Sequence, residues 1–277
     1  MSRVHLLAAD IGNTNVSIGL FEDERMVHSW RAITRATATP DEVASALSGL
    51  LALDGHRLDE LDAVAIASVV PPLSETWERL IDERVGVEPW ILDAGSLEGV
   101  LDIRIDRPSE AGADRLANAL AARIEHGGPA IVIDLGTSTN FDLVDADGAY
   151  IGGAIAPGLG LSLEALVGRA SKLPRIELRR PPSAIGANTI HAMQSGTVLG
   201  YQALTNGLLR RLRTELAGHD GLEPRDVRAI LTGGLSAAPW ATSIEDVDAI
   251  DPDLTLKGLA LLHVAVTGGD RLELGLS

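Results

Sequence analysis

Asp10-Ile-Gly-Asn-Thr-Asn15 and Asp134-Leu-Gly-Thr-Ser-Thr-Asn140 repeat one short pattern, each between two apolar runs. A carboxylate closes the first run, a glycine opens the turn, and small hydroxyl and amide side chains fill it. Backbone N–H groups and threonine hydroxyls in such a turn can donate to phosphate oxygens, and the aspartate can hold a cation, directly or through water. A lone Asp-x-Gly is more simply an Asx turn that caps itself. Capping, however, needs neither Thr14 and Asn15 nor Thr137 and Thr139. Two copies 124 positions apart in 277 residues predict a duplicated, two-lobed fold with a phosphate site in its cleft.

Three further segments carry possible chemistry. Gly112-Ala113-Asp114-Arg115 opens a helix, which gives Asp114 either an ordinary first-turn role or a place beside a guanidinium able to fork onto a carboxylate. The helix N-terminus predicts that Asp114 stays ionised and is a weak base, which a loose phosphoryl-transfer transition state tolerates. Thr232-Gly-Gly234 ends an apolar strand, where paired glycines let a base or ribose approach the backbone. Asn188 or Thr189 reads as the N-cap of a long helix. On that helix Ala192, Gly196, Gly200 and Ala203 form a small-residue face suited to packing against another helix, in this chain or in a second subunit. The seven histidines show no metal-ligand spacing, and Arg175, Arg179 and Arg180 read as a solvated loop.

Composition narrows the classes. Hydrophobic residues make up 45% and aromatics 3%, so the core must rest on Leu, Ile, Val and Ala. Without cysteine there is no disulfide scaffold, thiolate nucleophile or thiolate metal site. A formal charge of −16 with no basic cluster argues against nucleic acid as a partner, and a nucleotide must be met by local positive groups and cations. The N-terminal residues reach a charge too early for a secretory h-region, and no apolar run is long enough to cross a membrane. A cytoplasmic protein without a membrane partner is the expectation.

The elements that must position these residues follow from patterning. Val4–Asp10, Val16–Phe21 and Met26–Ile33 predict three strands. Thr39 and Pro40 open a helix to about Leu53, Ala63–Val70 is a buried strand stopped by Pro71-Pro72, and Ser74 to about Val85 is helical. Trp90–Leu92 is a short strand and Ala113–Glu125 a helix. After the break at Gly127-Gly128-Pro129, strands at Ala130–Asp134, Thr139–Asp145 and Ala149–Ala156 repeat the opening order. Helices at Ser162–Gly168, Thr189–Leu216 and Thr255–Val266, and a strand at Val227–Leu231, complete the reading. Pro174 to Pro182 is an exposed connector. This order predicts α/β layers, with an N-terminal lobe over 1–126 and a C-terminal lobe over 127–277.

Together with Gly152-Gly-Ala-Ile-Ala-Pro-Gly158, Lys172-Leu-Pro174, Ile185-Gly-Ala-Asn-Thr189 and Met193-Gln-Ser-Gly196, these motifs resemble the type III pantothenate kinases over nearly the whole chain. The resemblance implies the duplicated actin-like (ribonuclease H-like) kinase fold of acetate and sugar kinases, heat-shock chaperone ATPases and actin. It implies a homodimer that phosphorylates pantothenate with ATP, the first step towards coenzyme A, using Mg2+ or another divalent cation and K+ or NH4+. By position, Asp10, Ile11, Gly12, Asn13, Thr14, Asn15, Val16 and Ser17 would hold ATP phosphates, with Thr137 as a further donor. Asp134 would bind the monovalent cation and Asp10 the divalent one. Asp114 would orient or deprotonate the substrate hydroxyl, Gly112, Ala113 and Arg115 would line the substrate site, and Thr189 would reach pantothenate across the dimer.

Two departures stand out. Ile105-Asp-Arg-Pro108 replaces the family's Tyr-Asp-Asn-Pro, so the pocket tyrosine is an isoleucine, and Thr139-Asn140 replaces Thr-Thr. The rival readings are a same-fold kinase acting on another small hydroxylated acid and a non-catalytic, ligand-sensing relative. Retention of the base, the arginine and both turns argues against the second.

Overall fold

The computed structural model describes residues 4–268; the expectations that touch residues 1–3 and 269–277 lie outside them. The first three apolar runs form β1 (His5–Ile11), β2 (Asn15–Glu22) and β3 (Arg25–Ile33), an antiparallel ladder joined by short turns. β4 (Ala63–Ser68) pairs parallel to β1, and β5 (Trp90–Ile91) parallel to β4, giving the order β3-β2-β1-β4-β5. The second half repeats this with β6 (Ala130–Leu135), β7 (Ser138–Val144), β8 (Tyr150–Pro157), β9 (Arg228–Thr232) and β10 (Ala249–Ile250), in the order β8-β7-β6-β9-β10. The duplicated α/β fold expected from the sequence is therefore present strand for strand.

The helices follow their capping chemistry. α1 (Pro40–Leu53) starts at a reciprocal cap: Thr39 Oγ1 accepts the Glu42 N–H, and Glu42 Oε2 accepts the Thr39 N–H at 2.8 Å. Pro71 and Pro72 do not merely stop the strand. They are the first residues of α2 (Pro71–Arg84), because a fixed φ and a missing N–H are harmless at a helix start. α4 (Leu159–Arg169) likewise begins earlier than expected, directly after Gly158. The long helix expected over Thr189–Leu216 is α5 (Thr189–Gln194), a π-helical turn (Ser195–Leu199) and α6 (Gly200–Asp220). Gly221, at φ 70°, ends it in the left-handed region.

The chain divides into two units, residues 4–124 with 254–268, and residues 125–253. In the first, Leu7, Ala9 and Ile11 of β1 join Leu47 and Leu51 of α1 and Leu73, Trp77 and Leu80 of α2 in one core. By strand alternation Leu6, Ala8 and Asp10 face the other side, where α3 (Ala113–Ala121) and α7 (Leu254–Thr267) pack. In the second, Ile131, Ile133 and Leu135 of β6 pack with Tyr201, Leu209 and Leu216 of α6. Asp134 therefore lies on the opposite face, as Asp10 does. Burying each leucine or isoleucine side chain of these two cores contributes about 1.5–3 kcal/mol.

The sequence division at 126/127 kept the last helix with the second half, whereas α7 belongs to the first unit. A Cβ on Gly258 would lie 2.1 Å from the Ala117 carbonyl oxygen, so glycine lets the α7 backbone sit directly against α3. Beside it, Thr255 Oγ1 donates to Asn118 Oδ1 at 2.8 Å in a buried contact. Among the described residues no helix is long and apolar enough to cross a membrane.

Candidate active site

The first hairpin presents its turn at the end of β1 and β2. Asp10 pairs with Ser17 and Ile11 with Val16, and the Gly12 N–H donates to the Asn15 carbonyl at 3.0 Å. Thr34, just beyond β3, holds this turn twice: its N–H donates to the Thr14 carbonyl at 3.0 Å and its hydroxyl to the Gly12 carbonyl at 2.6 Å. Asn13 and Thr14 are exposed and Asp10 is half-buried. The turn thus offers exposed polar groups on an anchored backbone.

On the same face of this sheet, Gly112 is the N-cap of α3, with Ala113 buried and Asp114 in the first turn. Asp114 Oδ1 accepts the Arg115 N–H at 2.9 Å. A Cβ on Gly112 would lie 2.6 Å from that oxygen, so glycine here leaves room for the carboxylate to fold back over the helix end. Burial raises the Asp114 pKa above its ordinary value, against the lowering effects of the Arg115 N–H and of the Arg115 charge. The expectation of a weak base is thereby corrected: desolvation outweighs the helix end and makes Asp114 a better proton acceptor than an ordinary aspartate.

The second hairpin is cradled more closely. Asp134 pairs with Asn140 across the ladder and with Thr232 in the parallel direction. The Gly136 N–H donates to the Ser138 carbonyl at 2.9 Å, and the Gly158 N–H to the Thr137 carbonyl at 3.1 Å. A Cβ on Gly158 would lie 2.3 Å from the Thr137 oxygen, and one on Gly233 2.2 Å from Asp134 Oδ1. Gly233 also has φ +87°, so both positions demand glycine. Thr137 is exposed at the tip. Behind the turn the buried Thr139 Oγ1 is hydrogen-bonded to the Tyr201 hydroxyl at 2.5 Å.

Thr189 is the first residue of α5 and is exposed; Asn188 is the N-cap, its Oδ1 accepting the His191 N–H at 2.9 Å. Both line a cavity of about 860 Å³ in the second unit, with Pro157, Met193, Gly200 and Leu204. A Cβ on Gly196 or Gly200 would meet nothing within 4 Å. The small-residue face therefore borders open space at Gly196 and Gly200, across a cavity that Leu159, Ser162 and Leu166 of α4 also line.

The family model described as type III pantothenate kinase matches residues 6–211. The chain belongs to the type III pantothenate kinase family. A type III pantothenate kinase of Roseiflexus sp. (strain RS-1) is 46% identical over 93% of this chain and 98% of its own length. One of Thermomicrobium roseum is 47% identical over 92% and 95%. Among solved structures, the activator of the 2-hydroxyisocaproyl-CoA dehydratase from Clostridium difficile with bound ADPNP superposes with a TM-score of 0.52 over 98% of each chain. At 12% identity that likeness shows the fold alone.

In this pantothenate kinase family member, sequence reasoning missed several contacts. Thr34 and Tyr201 reach their turns across 22 and 62 positions, distances for which no local spacing is diagnostic. Three of the histidines read as scattered meet on the first unit: His28 lies 5.2 Å from His56, and His56 6.1 Å from His5, between ring centroids. Glu125, His126 and Asp251 bring one ligand atom each within 4.8 Å of one another. The Arg175, Arg179 and Arg180 connector is exposed, as expected.

Proposed function

We infer that the protein transfers the γ-phosphoryl group of ATP to the terminal hydroxyl of pantothenate. The observation that carries this reading is near-full-length identity of 46–47% to type III pantothenate kinases. The hydroxyl oxygen attacks the γ-phosphorus, the bond to the ADP oxygen breaks, and the hydroxyl proton passes to Asp114. The turn from Asp10 to Ser17, with Thr137 of the second hairpin, holds the phosphates. Arg115 takes the carboxylate of the acid, with Gly112 and Ala113 beside it. Little proton transfer is needed early in a loose transition state, so positioning by these residues does most of the work.

Two cations belong to this reading, and the donor sets suit hard ions that take oxygen ligands. Asp10 would hold Mg2+ or another divalent ion. Asp134 would hold K+ or NH4+, and the buried Thr232 Oγ1, which has no hydrogen-bond partner among the described residues, is a second oxygen in register with it. Bound cations supply charge neutralisation at the phosphates.

A homodimer is part of the same proposal. Leu161, Leu166, Ile190 and Leu204 are exposed beside the open small-residue face of α5 and α6, an apolar surface suited to a second copy. Thr189 lies on that surface, where it would contact the partner's substrate. Sedimentation of Leu204→Asp tests this: a monomer with reduced pantothenate affinity is expected, and an unchanged dimer with unchanged affinity would refute it.

The decisive assay is turnover of pantothenate and of other small hydroxylated acids by the purified protein, with and without potassium. Pantothenate is expected to be the preferred acceptor and potassium to stimulate. Preference for another acid would trace to Ile105, the departure from the family tyrosine.

A further inference from the structure

Tyr201 stands at the second position of α6, nearly buried, with its ring edge-on to Trp240 at 5.5 Å between centroids. Its hydroxyl makes a buried bond to Thr139, the residue of β7 that follows Ser138 and pairs with Leu135. The turn between those strands is fixed at three points: its own Gly136 to Ser138 bond, the Gly158 N–H on the Thr137 carbonyl, and this phenol behind β7. The phenol is a side-chain link from outside the hairpin, and it ties the turn to the helix whose neighbouring residues border the cavity that contains Thr189.

We propose that Tyr201 is a positioning residue for the second phosphate turn, acting through Thr139. It touches no reacting atom in this scheme. Its hydroxyl fixes the start of β7, which closes the turn carrying Thr137 and pairs with β6, the strand of Asp134; the proposal rests on the reading of that turn as a phosphate and cation site. Burial raises the phenol's pKa and the nearby Asp134 charge adds to it, against the lowering effect of the Thr139 hydrogen bond, in which either hydroxyl can donate.

Tyr201→Phe keeps the ring and removes only the hydroxyl. Equilibrium titration of the full-length protein with an ATP analogue, without pantothenate, should show affinity weakened about three- to tenfold, the scale of one hydrogen bond. The potassium concentration for half-maximal stimulation should rise in parallel. The KM for pantothenate should stay within about twofold. Thr139→Val removes the other partner at nearly constant shape and should give the same shift, and the double variant should be no worse than the weaker single one. A residue that merely stabilised the fold would lower Tm and leave nucleotide affinity untouched. Wild-type nucleotide affinity in both single variants overturns the proposal, and so does a fully additive double variant. Failure of the wild type to phosphorylate pantothenate would sink the functional reading instead, while the nucleotide titration still decides the role of Tyr201.

Discussion

The two hairpins occupy equivalent places in equivalent sheets, yet they are built to different tolerances. Asp10 and Asp134 each precede the last residue of a central strand, and each faces away from the core of its own sheet. The first turn closes from Gly12 to Asn15 and is held by one threonine from the neighbouring strand end; the second closes one residue shorter, from Gly136 to Ser138. The second is also hemmed by the backbones of Gly158 and Gly233 and by a buried phenol. The shorter turn has less freedom to adjust, and its surroundings supply its geometry. The longer turn carries exposed polar side chains and a looser frame, as a loop that must mould to a triphosphate would.

The sharpest way to break this comparison is alanine at the close contacts. Gly158→Ala would drive a methyl group into the Thr137 and Gly136 carbonyls, at 2.3 and 2.5 Å. Backbone cannot yield cheaply there, so a loss of several kcal/mol or a displaced turn is expected, on the scale of overpacking and backbone strain. Thermal unfolding and the KM for ATP would both register it. A variant with wild-type Tm and wild-type KM would show that the second turn is not held as described.

The next effect separates the proposed base, Asp114, from the turns. Asp114→Asn should lower kcat by about 10²–10⁴ while leaving nucleotide binding intact. Because burial raises the Asp114 pKa, ionising this carboxyl costs more in the fold than in the unfolded chain. Its contribution to stability is present below the unfolded pKa and is lost as pH rises through the raised folded value. Asp114→Asn should therefore not lower Tm at neutral pH, and should raise it. The acid limb of the wild-type rate profile should lie above the ordinary aspartate value of about 3.9. A limb at or below that value, or near-normal turnover in the variant, would remove Asp114 from the role.

Much of this was legible in the chain itself, for physical reasons. Apolar runs closed by tight turns specify strands, and the repeat of Asp-x-Gly after such runs specified the duplication and the paired turns. Caps such as Thr39 with Glu42 encode their own helix start. What stayed hidden depends on what lies across space. The apolar pattern of α7 says that it is buried, but not that Gly258 fits it against Ala117 of the first unit. β10, two residues long, carries too few side chains for a periodic signal. The π-helical turn at Ser195–Leu199 leaves the helical spacing nearly unchanged, so α5 and α6 read as one helix. The pKa direction of Asp114 reversed because desolvation depends on its three-dimensional surroundings, whereas only the helix end is visible in sequence.

A smaller test concerns the frame of the first turn. Thr34→Val removes the hydroxyl that donates to the Gly12 carbonyl at 2.6 Å while keeping the branched shape. The backbone bond from the Thr34 N–H to Thr14 remains, so only about 1 kcal/mol of stability should be lost. Denaturant unfolding with unchanged m would measure it. A loss of several kcal/mol would mean that the first turn depends on a single side chain more heavily than the second does on its glycines.

The smallest expected effect on folding is at Gly12, and it is the most discriminating. A Cβ there would meet only the Asn15 carbonyl, at 3.1 Å, and Gly12 is not in the left-handed region. Alanine narrows the unfolded ensemble, worth about 0.4–1 kcal/mol where the native conformation allows it, and this offsets a shift of a few tenths of an ångström at Asn15. Stability should thus stay within about 1 kcal/mol of the wild type. Nucleotide affinity should not be so forgiving, because a methyl group at Gly12 stands where the phosphates would approach the backbone. A Gly12→Ala protein that keeps its Tm but loses ATP affinity would mark the first turn as shaped for its ligand. Preserved affinity would place the phosphates elsewhere and dissolve the functional symmetry of the two turns, although their structural symmetry would remain.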